Sequence, residues 1–573
     1  MLSKSYCPGD GALLGFRSRL GPHGRATCFF RPVSLSRASP RPSSAVAATP
    51  GKACVRLCFN LHCSLPRADL SRSVVPSADG TRGFRCSFPG WYSLRHAVDS
   101  PLREQEQQTV TSASRDLARA LPLVLVLSLV GTQPEDLKAA ESPPVKFPLQ
   151  VSENNRYLVD ADNKPFLVTG DTAWSLIAQL SEQEAIEYLD DRKKRGFNCI
   201  IVSLIERRFA DKAPATIAGV KPFLKDGDFT QPSSKYFDHA ARVIAAAGER
   251  GISVWLCPAY LGWGGGDEGW FREVKAAGPR ALRSYGKFVG RRFKDHANIV
   301  WMPGGDYIMP PEERWAGQEL ALGIREGGGR QLMTAHGGQT SAVETFGEQD
   351  WLAIDNVYRY DPDIWRFYRQ AYRQRPVRPF VLIETAYEGE HHATPDRIRR
   401  QAWWAVLNGA CGQFFGNNPI WYFDAVGHSY VDRKAAPTWR KALDLAGSRD
   451  MSRLGAFFQQ HPWHRLVPDL DDKLVSDGGG SDVTKVATAR TSDGTLALLY
   501  VPSKGKEVRE LTLDLSRFAG PVRGRWFNPA QDRAAIALPA LLTNARGQTV
   551  RTPGDNGTGT SDWALVLEVA TKE

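Results

Sequence analysis

The sequence predicts an α/β protein, a (β/α)8 TIM barrel followed by a small C-terminal antiparallel β-sandwich, with a disordered N-terminal leader. Between about residues 147 and 460, apolar runs of strand length alternate with helical patterns, and eight runs can be counted. Beyond residue 460 the pattern changes to short strands separated by turn signals. Continuous apolar strands joined by helices indicate a parallel sheet buried on both faces, and eight such units close into a barrel.

Residues 1–114 form the predicted leader, which is rich in Arg, Ser and Pro and has no periodicity of 2 or 3.6. Residues 1–119 hold 17 Lys and Arg against 7 Asp and Glu, a balance of +10 out of the net charge of +11 for the whole chain. Such a segment buries too little apolar surface to offset its ordering entropy. We interpret it as an over-extended gene model. Its six cysteines leave a disulfide framework or a zinc site open, although the paired CxxC spacing of a strong zinc signal is missing: Cys7, Cys28, Cys54, Cys58, Cys63 and Cys86.

A segment that resembles a signal peptide follows at residues 115–133. Charged residues from Arg115 to Arg119 precede an apolar run from Ala120 to Val130, which is too short to cross a bilayer comfortably. The alternative to an over-extended gene model is a real tail with a signal anchor. In either case we expect a secreted or periplasmic protein, with no stable membrane span. The core keeps Cys199, Cys257 and Cys411, which we interpret as small buried apolar residues.

The barrel domain is predicted over residues 147–460. Its helices include 181–195, where Ser181 and Glu184 form a capping box. The other helices are 235–250, 280–294, 312–326 and 396–408, and a last helical stretch covers 439–460. The eight strands are 166–170, 197–205, 252–260, 299–304, 332–335, 354–360, 380–384 and 412–416.

The C-terminal β-sandwich is predicted over residues 461–573. Short strands there are separated by turn signals such as Ser492-Asp-Gly494. The predicted strands are 484–490, 496–501, 510–514, 524–528 and 563–569.

Two acidic residues end apolar runs of strand length and are the predicted catalytic pair. Asp306 follows Trp301-Met-Pro-Gly-Gly at the end of the fourth strand, and Glu384 ends the seventh strand, Phe380-Val-Leu-Ile-Glu384. The C-terminal ends of barrel strands open into the active-site face. Cleavage of a glycosidic bond requires one carboxyl group to protonate the leaving oxygen and another to attack or to activate water. The pattern therefore predicts a glycosidase, unless each acid merely caps a strand or pairs with an Arg. The ends of the fourth and seventh strands are the positions from which retaining barrel glycosidases usually draw acid/base and nucleophile, so a retaining mechanism is expected.

A sugar site also requires aromatic platforms and polar partners, because the C–H face of the ring packs on aromatic side chains while its hydroxyls form hydrogen bonds. For Asp171, sugar contact and helix N-capping are both open, and His336 can equally be a hydrogen-bonded core histidine. The candidate substrate-binding residues follow barrel strands: Asp171, Trp174, Tyr260, Trp263, His336, Tyr358, Tyr387, Asn417 and Trp421.

Other function classes lack their signals. The net charge of +1 after residue 119 offers no basic excess for nucleic acid. The run Glu388-Gly-Glu390-His391-His392 lacks the HExxH spacing of a metal site, and no GxSxG, P-loop or strand-linked GxGxxG is present. We expect no metal and no cofactor.

The span from about residue 147 to 460 resembles the apiosidase-like glycoside hydrolase family. The matching pieces are Gly170-Asp-Thr-Ala-Trp174, Gly196-Phe-Asn198, Trp301-Met-Pro-Gly-Gly-Asp306 and Ile383-Glu-Thr-Ala-Tyr-Glu-Gly389. The resemblance implies a retaining TIM-barrel enzyme with Asp306 as acid/base and Glu384 as nucleophile. It also implies substrates from the pectin side chains of plant cell walls, next to the branched sugar apiose.

The C-terminal tail resembles the collagen-binding-type β module that accompanies these barrels, through Leu511-Thr-Leu-Asp-Leu515 and Arg525-Trp-Phe-Asn-Pro529. We interpret it as a support for the barrel. The expected partner is an oligosaccharide or polysaccharide. The alternative function is a non-catalytic carbohydrate-binding or surface adhesion protein on the same barrel, and a peptidase is a weaker option because it lacks a nucleophile or metal motif.

Overall fold

The computed structural model describes residues 145–390, 392–425 and 437–570, so the predicted leader and signal-like segment lie outside the described residues. A short antiparallel sheet comes first, and seven parallel strands then form a barrel wall. Every residue of those seven strands is buried, as expected for a parallel sheet covered on both faces. The short sheet contains β1 (Gln150–Val151), β2 (Leu158–Val159) and β3 (Pro165–Phe166). The barrel strands are β4 (Val168–Thr172), β5 (Cys199–Ser203), β6 (Ser253–Cys257), β7 (Ile299–Trp301), β8 (Asp355–Tyr358), β9 (Phe380–Glu384) and β10 (Gly412–Phe415).

The spatial order of the barrel strands is β7-β6-β5-β4-β10-β9-β8, which leaves one gap between β7 and β8. The predicted fifth strand fills that gap as two isolated parallel bridges, Trp301 with Met333 and Gly304 with His336. On the other side, the Asn356 side chain donates a hydrogen bond to the carbonyl of Ala335 at 2.6 Å. The segment is not a continuous strand because Pro303, opposite it, has no amide hydrogen to extend the ladder. With this segment in place, the TIM barrel is complete.

Helices cover the outside of the barrel. The predicted capping box at the start of the helix Glu182–Lys194 is confirmed, since the Ser181 hydroxyl accepts from the amide of Glu184 at 3.3 Å and the Glu184 carboxylate accepts from the amide of Ser181 at 3.1 Å. The helices are α1 (Leu176–Gln179), α2 (Glu182–Lys194), α3 (Ser234–Glu249), α4 (Phe271–Phe293), α5 (Trp315–Glu326), α6 (Ala342–Phe346), α7 (Trp365–Arg373), α8 (Pro395–Leu407), α9 (Trp439–Ala442) and α10 (Ala446–Gln459). Among the described residues, no helix has both the length and the apolar character that crossing a bilayer requires.

One helix prediction is extended and one is corrected. A helical stretch begins near Pro279, as predicted for residue 280, but a further stretch from Phe271 precedes it within α4, and the two are joined at Gly278, whose φ of +77° is not helical. The final helical stretch is divided into α9 and α10, which are separated at Leu443–Leu445. Cys199, Cys257 and Cys411 are buried, as predicted.

The C-terminal region forms two antiparallel sheets that enclose a common apolar core, as predicted. Leu499, Leu565, Leu513 and Val550 from the two sheets meet in that core. The sequence failed to predict β11, β12, β17 and β18, which are short or, in Arg546–Arg551, almost entirely polar. The strands are β11 (Leu466–Pro468), β12 (Val475–Asp477), β13 (Ala487–Thr491), β14 (Leu496–Val501), β15 (Glu510–Asp514), β16 (Val522–Phe527), β17 (Ile536–Ala537), β18 (Arg546–Arg551) and β19 (Trp563–Val569). Their spatial orders are β11-β13-β14-β19-β16-β17 and β12-β15-β18.

Helix α8 joins the barrel to the C-terminal sheets through a buried charge cluster. The Arg399 guanidinium donates to both carboxylate oxygens of Asp562, at 2.7 and 2.8 Å, and to Asp450 at 2.9 Å. The ring of Trp403 on the same helix stacks on Tyr500, with 5.4 Å between centroids. These contacts make the C-terminal sheets part of the packing around the barrel.

We expect Asp562→Ala to lower the free energy of unfolding by about 3 to 5 kcal/mol, because removing one partner leaves buried charges and donors uncompensated. Besides Arg399, the Asp562 carboxylate accepts from Tyr500 and Asn556. Urea unfolding followed by circular dichroism measures the change. The control is Glu507→Ala, which removes an exposed partner of Lys504 and is expected to cost less than about 1 kcal/mol. An equal, small effect of both variants would contradict the structural role of this cluster.

Candidate active site

A cavity of about 800 Å³ opens at the C-terminal ends of the barrel strands. Asp306 and Glu384, the two acids predicted from the sequence, both line it. Six of the predicted aromatic residues line the same cavity: Trp174, Tyr260, Trp263, Tyr358, Tyr387 and Trp421. Residues from strand ends far apart in the sequence therefore share one space, which is the usual location of an active site in this fold.

Asp306 reaches the cavity because two glycines precede it. Gly304 and Gly305 have φ values of +114° and +133°, in a region that L side chains rarely adopt. A Cβ on Gly304 would lie 2.0 Å from the carbonyl oxygen of His336, and one on Gly305 would lie 2.7 Å from the amide nitrogen of Leu261. Only glycine permits this close approach, which turns the chain at the end of β7 and places Asp306 over His336.

The Asp306 carboxylate is partly exposed to the cavity, with 18% of its side chain accessible. Its Oδ2 accepts a hydrogen bond from the Tyr260 hydroxyl at 2.7 Å. Its Oδ1 lies 3.5 Å from Nδ1 of His336. The acid is thus held on one side by a tyrosine and faces an imidazole on the other.

Glu384 is the last residue of β9 and is held by one hydrogen bond at each carboxylate oxygen. The Tyr360 hydroxyl donates to Oε1 at 2.9 Å, and Oε2 lies 2.9 Å from Nε2 of His336. His336 is fully buried between the two acids. One side-chain nitrogen or oxygen atom from each of Asp306, His336 and Glu384 lies within 4.8 Å of the other two.

Burial and charge set the protonation of this group. Burial first, and then the negative charge of Glu384, raise the pKa of Asp306 to about 6, against the opposing effects of His336 and the Tyr260 hydroxyl. Burial alone would lower the pKa of His336, but the hydrogen bond to Glu384 and the charges of both acids raise it. Asp306 can therefore carry a proton at a pH where an ordinary carboxyl group has lost it.

The tyrosines around the acids remain protonated donors. Burial, followed by the negative charge of Asp306 or Glu384, raises the pKa of Tyr260, Tyr358, Tyr360 and Tyr387 above the usual range. Each hydroxyl can therefore donate to a carboxylate or to a sugar oxygen.

Asp306, His336 and Glu384 have donor types that also bind divalent cations. The 2.9 Å contact between His336 Nε2 and Glu384 Oε2 is a hydrogen-bond length, and the Tyr360 hydroxyl already donates to the other oxygen of Glu384. We therefore assign these residues as a hydrogen-bonded acid cluster.

Aromatic side chains form the wall and rim of the cavity. The Trp174 indole donates to the Tyr387 hydroxyl at 3.3 Å and meets the His336 ring edge to face, with 5.1 Å between centroids. The Trp421 indole donates to Glu390 at 2.8 Å. Trp263 is 57% exposed and stands at the rim. Fixed indoles suit the C–H face of a sugar ring.

Three predicted substrate contacts are corrected. Asp171 is fully buried between the barrel wall and α2, where its carboxylate accepts from the Tyr188 hydroxyl at 2.8 Å and from Arg192 at 3.2 Å. It does not cap a helix either, because Ser175 precedes α1. Asn417 is fully buried and donates to Glu388 at 2.8 Å. His336 lies behind the two acids and does not line the cavity, so its contacts are with them.

Several cavity residues were absent from the sequence prediction. Glu206 is buried, and its Oε1 accepts from the backbone amides of residues 207, 208 and 209, which orders the loop that carries Arg208 and Phe209. The sequence could have predicted Glu206, because it directly follows the apolar run 197–205, just as Asp306 follows the apolar run that begins at Ile299. The cavity residues Gln339, Glu390 and Arg397 follow no such pattern in the sequence.

The run 388–392, which lacks the spacing of a metal site, contributes a structural carboxylate. Glu388 accepts from Asn417 and from the amide of Gly447, and His391 lies outside the described residues.

Solved structures of other proteins share this fold. A glycoside hydrolase family 5 structure from Bacteroides vulgatus ATCC 8482 superposes with a TM-score of 0.64 at 24% sequence identity, covering 74% of this chain and 93% of the other. Another solved structure, described as a glycoside hydrolase, gives 0.63 at 24% identity and covers 74% and 97%. These likenesses show the fold. No curated protein matches the sequence.

The family model that describes an apiosidase-like catalytic domain matches residues 152–465, which is more than half of the chain. The match contains the whole barrel and both cavity acids. The chain therefore belongs to the apiosidase-like family of glycoside hydrolases.

Proposed function

We propose that the protein is a retaining glycoside hydrolase in which Asp306 is the acid/base and Glu384 the nucleophile. The observation that carries the proposal is that oxygens of both acids lie within 4.8 Å of each other and face one open cavity. Retaining enzymes keep their carboxyl groups about 5 to 5.5 Å apart, whereas inverting enzymes leave room for water at about 6.5 to 9.5 Å. A carbohydrate-binding or adhesion protein has no need of such a pair.

The proposed reaction has two steps. An oxygen of Glu384 attacks the anomeric carbon while the leaving oxygen takes the proton of Asp306, so that the glycosidic bond breaks and a glycosyl ester forms. A water molecule then gives a proton to Asp306 and attacks the same carbon, which breaks the ester and restores both acids. The raised pKa of Asp306 supports the assignment of this residue as the proton donor.

For the substrate, we propose oligosaccharides from the pectin side chains of plant cell walls. Family membership supports this proposal, and the aromatic wall and the cavity of about 800 Å³ suit a carbohydrate of more than one sugar unit. We further propose that the protein is secreted or periplasmic, where such polymers are met. The charged and apolar residues at 115–133 support this location.

We expect Glu384→Gln and Asp306→Asn each to remove nearly all turnover of pectin-derived oligosaccharides and to leave the fold intact, because each variant keeps the shape and loses the carboxylate. Initial rates from reducing-sugar release measure the effect, and circular dichroism checks the fold. Glu249→Gln is the control, since Glu249 is an exposed acid at the end of α3. Wild-type rates in either cavity variant would discard the assignment.

The first product is expected to have the anomeric configuration of the substrate, because two displacements at one carbon restore its stereochemistry. Proton NMR recorded within the first minutes of hydrolysis, before mutarotation, identifies that anomer. An inverted first product would exclude Glu384 as a nucleophile.

The value of kcat/KM is expected to fall as the pH rises through about 6, because the general acid must be protonated and the pKa of Asp306 is raised to about 6. A pH series with the oligosaccharide substrate measures this alkaline limb. A glycosyl fluoride is the matched control, since its leaving group needs no proton from Asp306. An alkaline limb that is identical for both substrates would contradict the role of Asp306.

A further inference from the structure

His336 occupies a position that the two-step reaction does not by itself explain. It is fully buried, and its two ring nitrogens face different carboxylates. Nε2 lies 2.9 Å from Glu384 Oε2, and Nδ1 lies 3.5 Å from Asp306 Oδ1. Asp306 Oδ1, His336 Nδ1 and the neighbouring Tyr358 hydroxyl are buried polar atoms that have no hydrogen bond of standard geometry among the described residues.

The hydrogen bond to Glu384 restricts the tautomer of the ring. An ionised carboxylate can only accept, so Nε2 must carry a hydrogen when Glu384 is charged. In a neutral ring, Nδ1 is then an acceptor that faces the oxygen of Asp306. Two acceptors at 3.5 Å in a buried site repel each other, and a proton held between them turns that repulsion into a hydrogen bond, while the Tyr358 hydroxyl can donate to only one of the two.

We propose that Asp306 and His336 share one proton, so that His336 is a positioning residue that holds the proton of the general acid between the two acids. While Glu384 is ionised, its negative charge retains the proton on the pair. When the ester forms, that charge is lost as the proton passes to the leaving oxygen. The Asp306–His336 pair then has a lower pKa and stays deprotonated. Asp306 is therefore ready to take the proton of the attacking water in the second step. This inference rests on the proposed function for its catalytic meaning.

The surroundings of His336 leave these two acids as its charged neighbours. Asp306 faces it from the loop after β7, and Glu384 faces it from β9. The rings of Tyr358 on β8 and of Trp174 after β4 each lie 5.1 Å from it, measured between centroids. Tyr358 stays uncharged because burial raises its pKa.

The test is a titration of the histidine rings by 15N NMR, which needs no substrate. The chain has 11 histidines, and the signals missing from His336→Gln identify the ring. We expect a hydrogen on Nε2 at neutral pH, and a fall of about one pH unit or more in the apparent pKa of the pair in Glu384→Gln. A neutral ring with its hydrogen on Nδ1, or a titration that Glu384→Gln leaves in place, would overturn the proposal.

Activity provides the second measurement. His336→Gln keeps an N–H near the position of Nε2 but cannot take up a proton, so we expect the alkaline limb of kcat/KM to move while KM stays the same. A uniform fall in kcat with the limb in its original place would mean that His336 only supports the structure, and would contradict the proposal. Because the NMR titration is independent of turnover, an inactive wild-type protein would count against the glycosidase proposal and not against the shared proton.

Discussion

The close contact between the backbone at Gly304 and the backbone at His336 is the constraint on which the site depends. The amide of Gly305 donates to the carbonyl of His336 at 2.7 Å, and the amide of His336 donates to the carbonyl of Pro303 at 2.9 Å. These bonds close the barrel where a regular fifth strand is missing. They also bring Asp306 over the His336 ring, so barrel closure and placement of the acid have the same physical cause.

The electrostatics of the site follow from that placement. Two carboxylates and one imidazole, held in a buried cluster, cannot all take their ordinary protonation states. The protein adds tyrosine hydroxyls, which donate without adding charge, and aromatic rings, which exclude water. The pKa of Asp306 therefore rises to about 6, while Glu384 has one hydrogen bond at each oxygen. Two acids that face one cavity thus acquire different properties from their surroundings.

The sequence was sufficient to predict the barrel, the C-terminal sandwich and the two cavity acids, because buried parallel strands are apolar throughout and Asp306 and Glu384 end such runs. The same signal failed at Asp171. Successive side chains of a strand point to opposite faces of the sheet. The sequence did not show whether Asp171 points to the cavity or to Arg192 on α2. Arg397 lines the cavity from α8. Its position depends on how that helix packs on the barrel, which the neighbouring residues in the sequence do not indicate. The role of His336 depends on contacts with two residues that are 30 and 48 positions away in the sequence.

The proposed two-step reaction requires Glu384 to form a covalent bond to the sugar. Rapid acid quenching during turnover of a pectin-derived oligosaccharide, followed by protease digestion and mass mapping of the peptides, tests it directly. We expect a peptide that contains Glu384 and is heavier by the transferred glycosyl group, with the added mass on that side chain. Steady turnover with no modified peptide, or with the added mass on another residue, would contradict it.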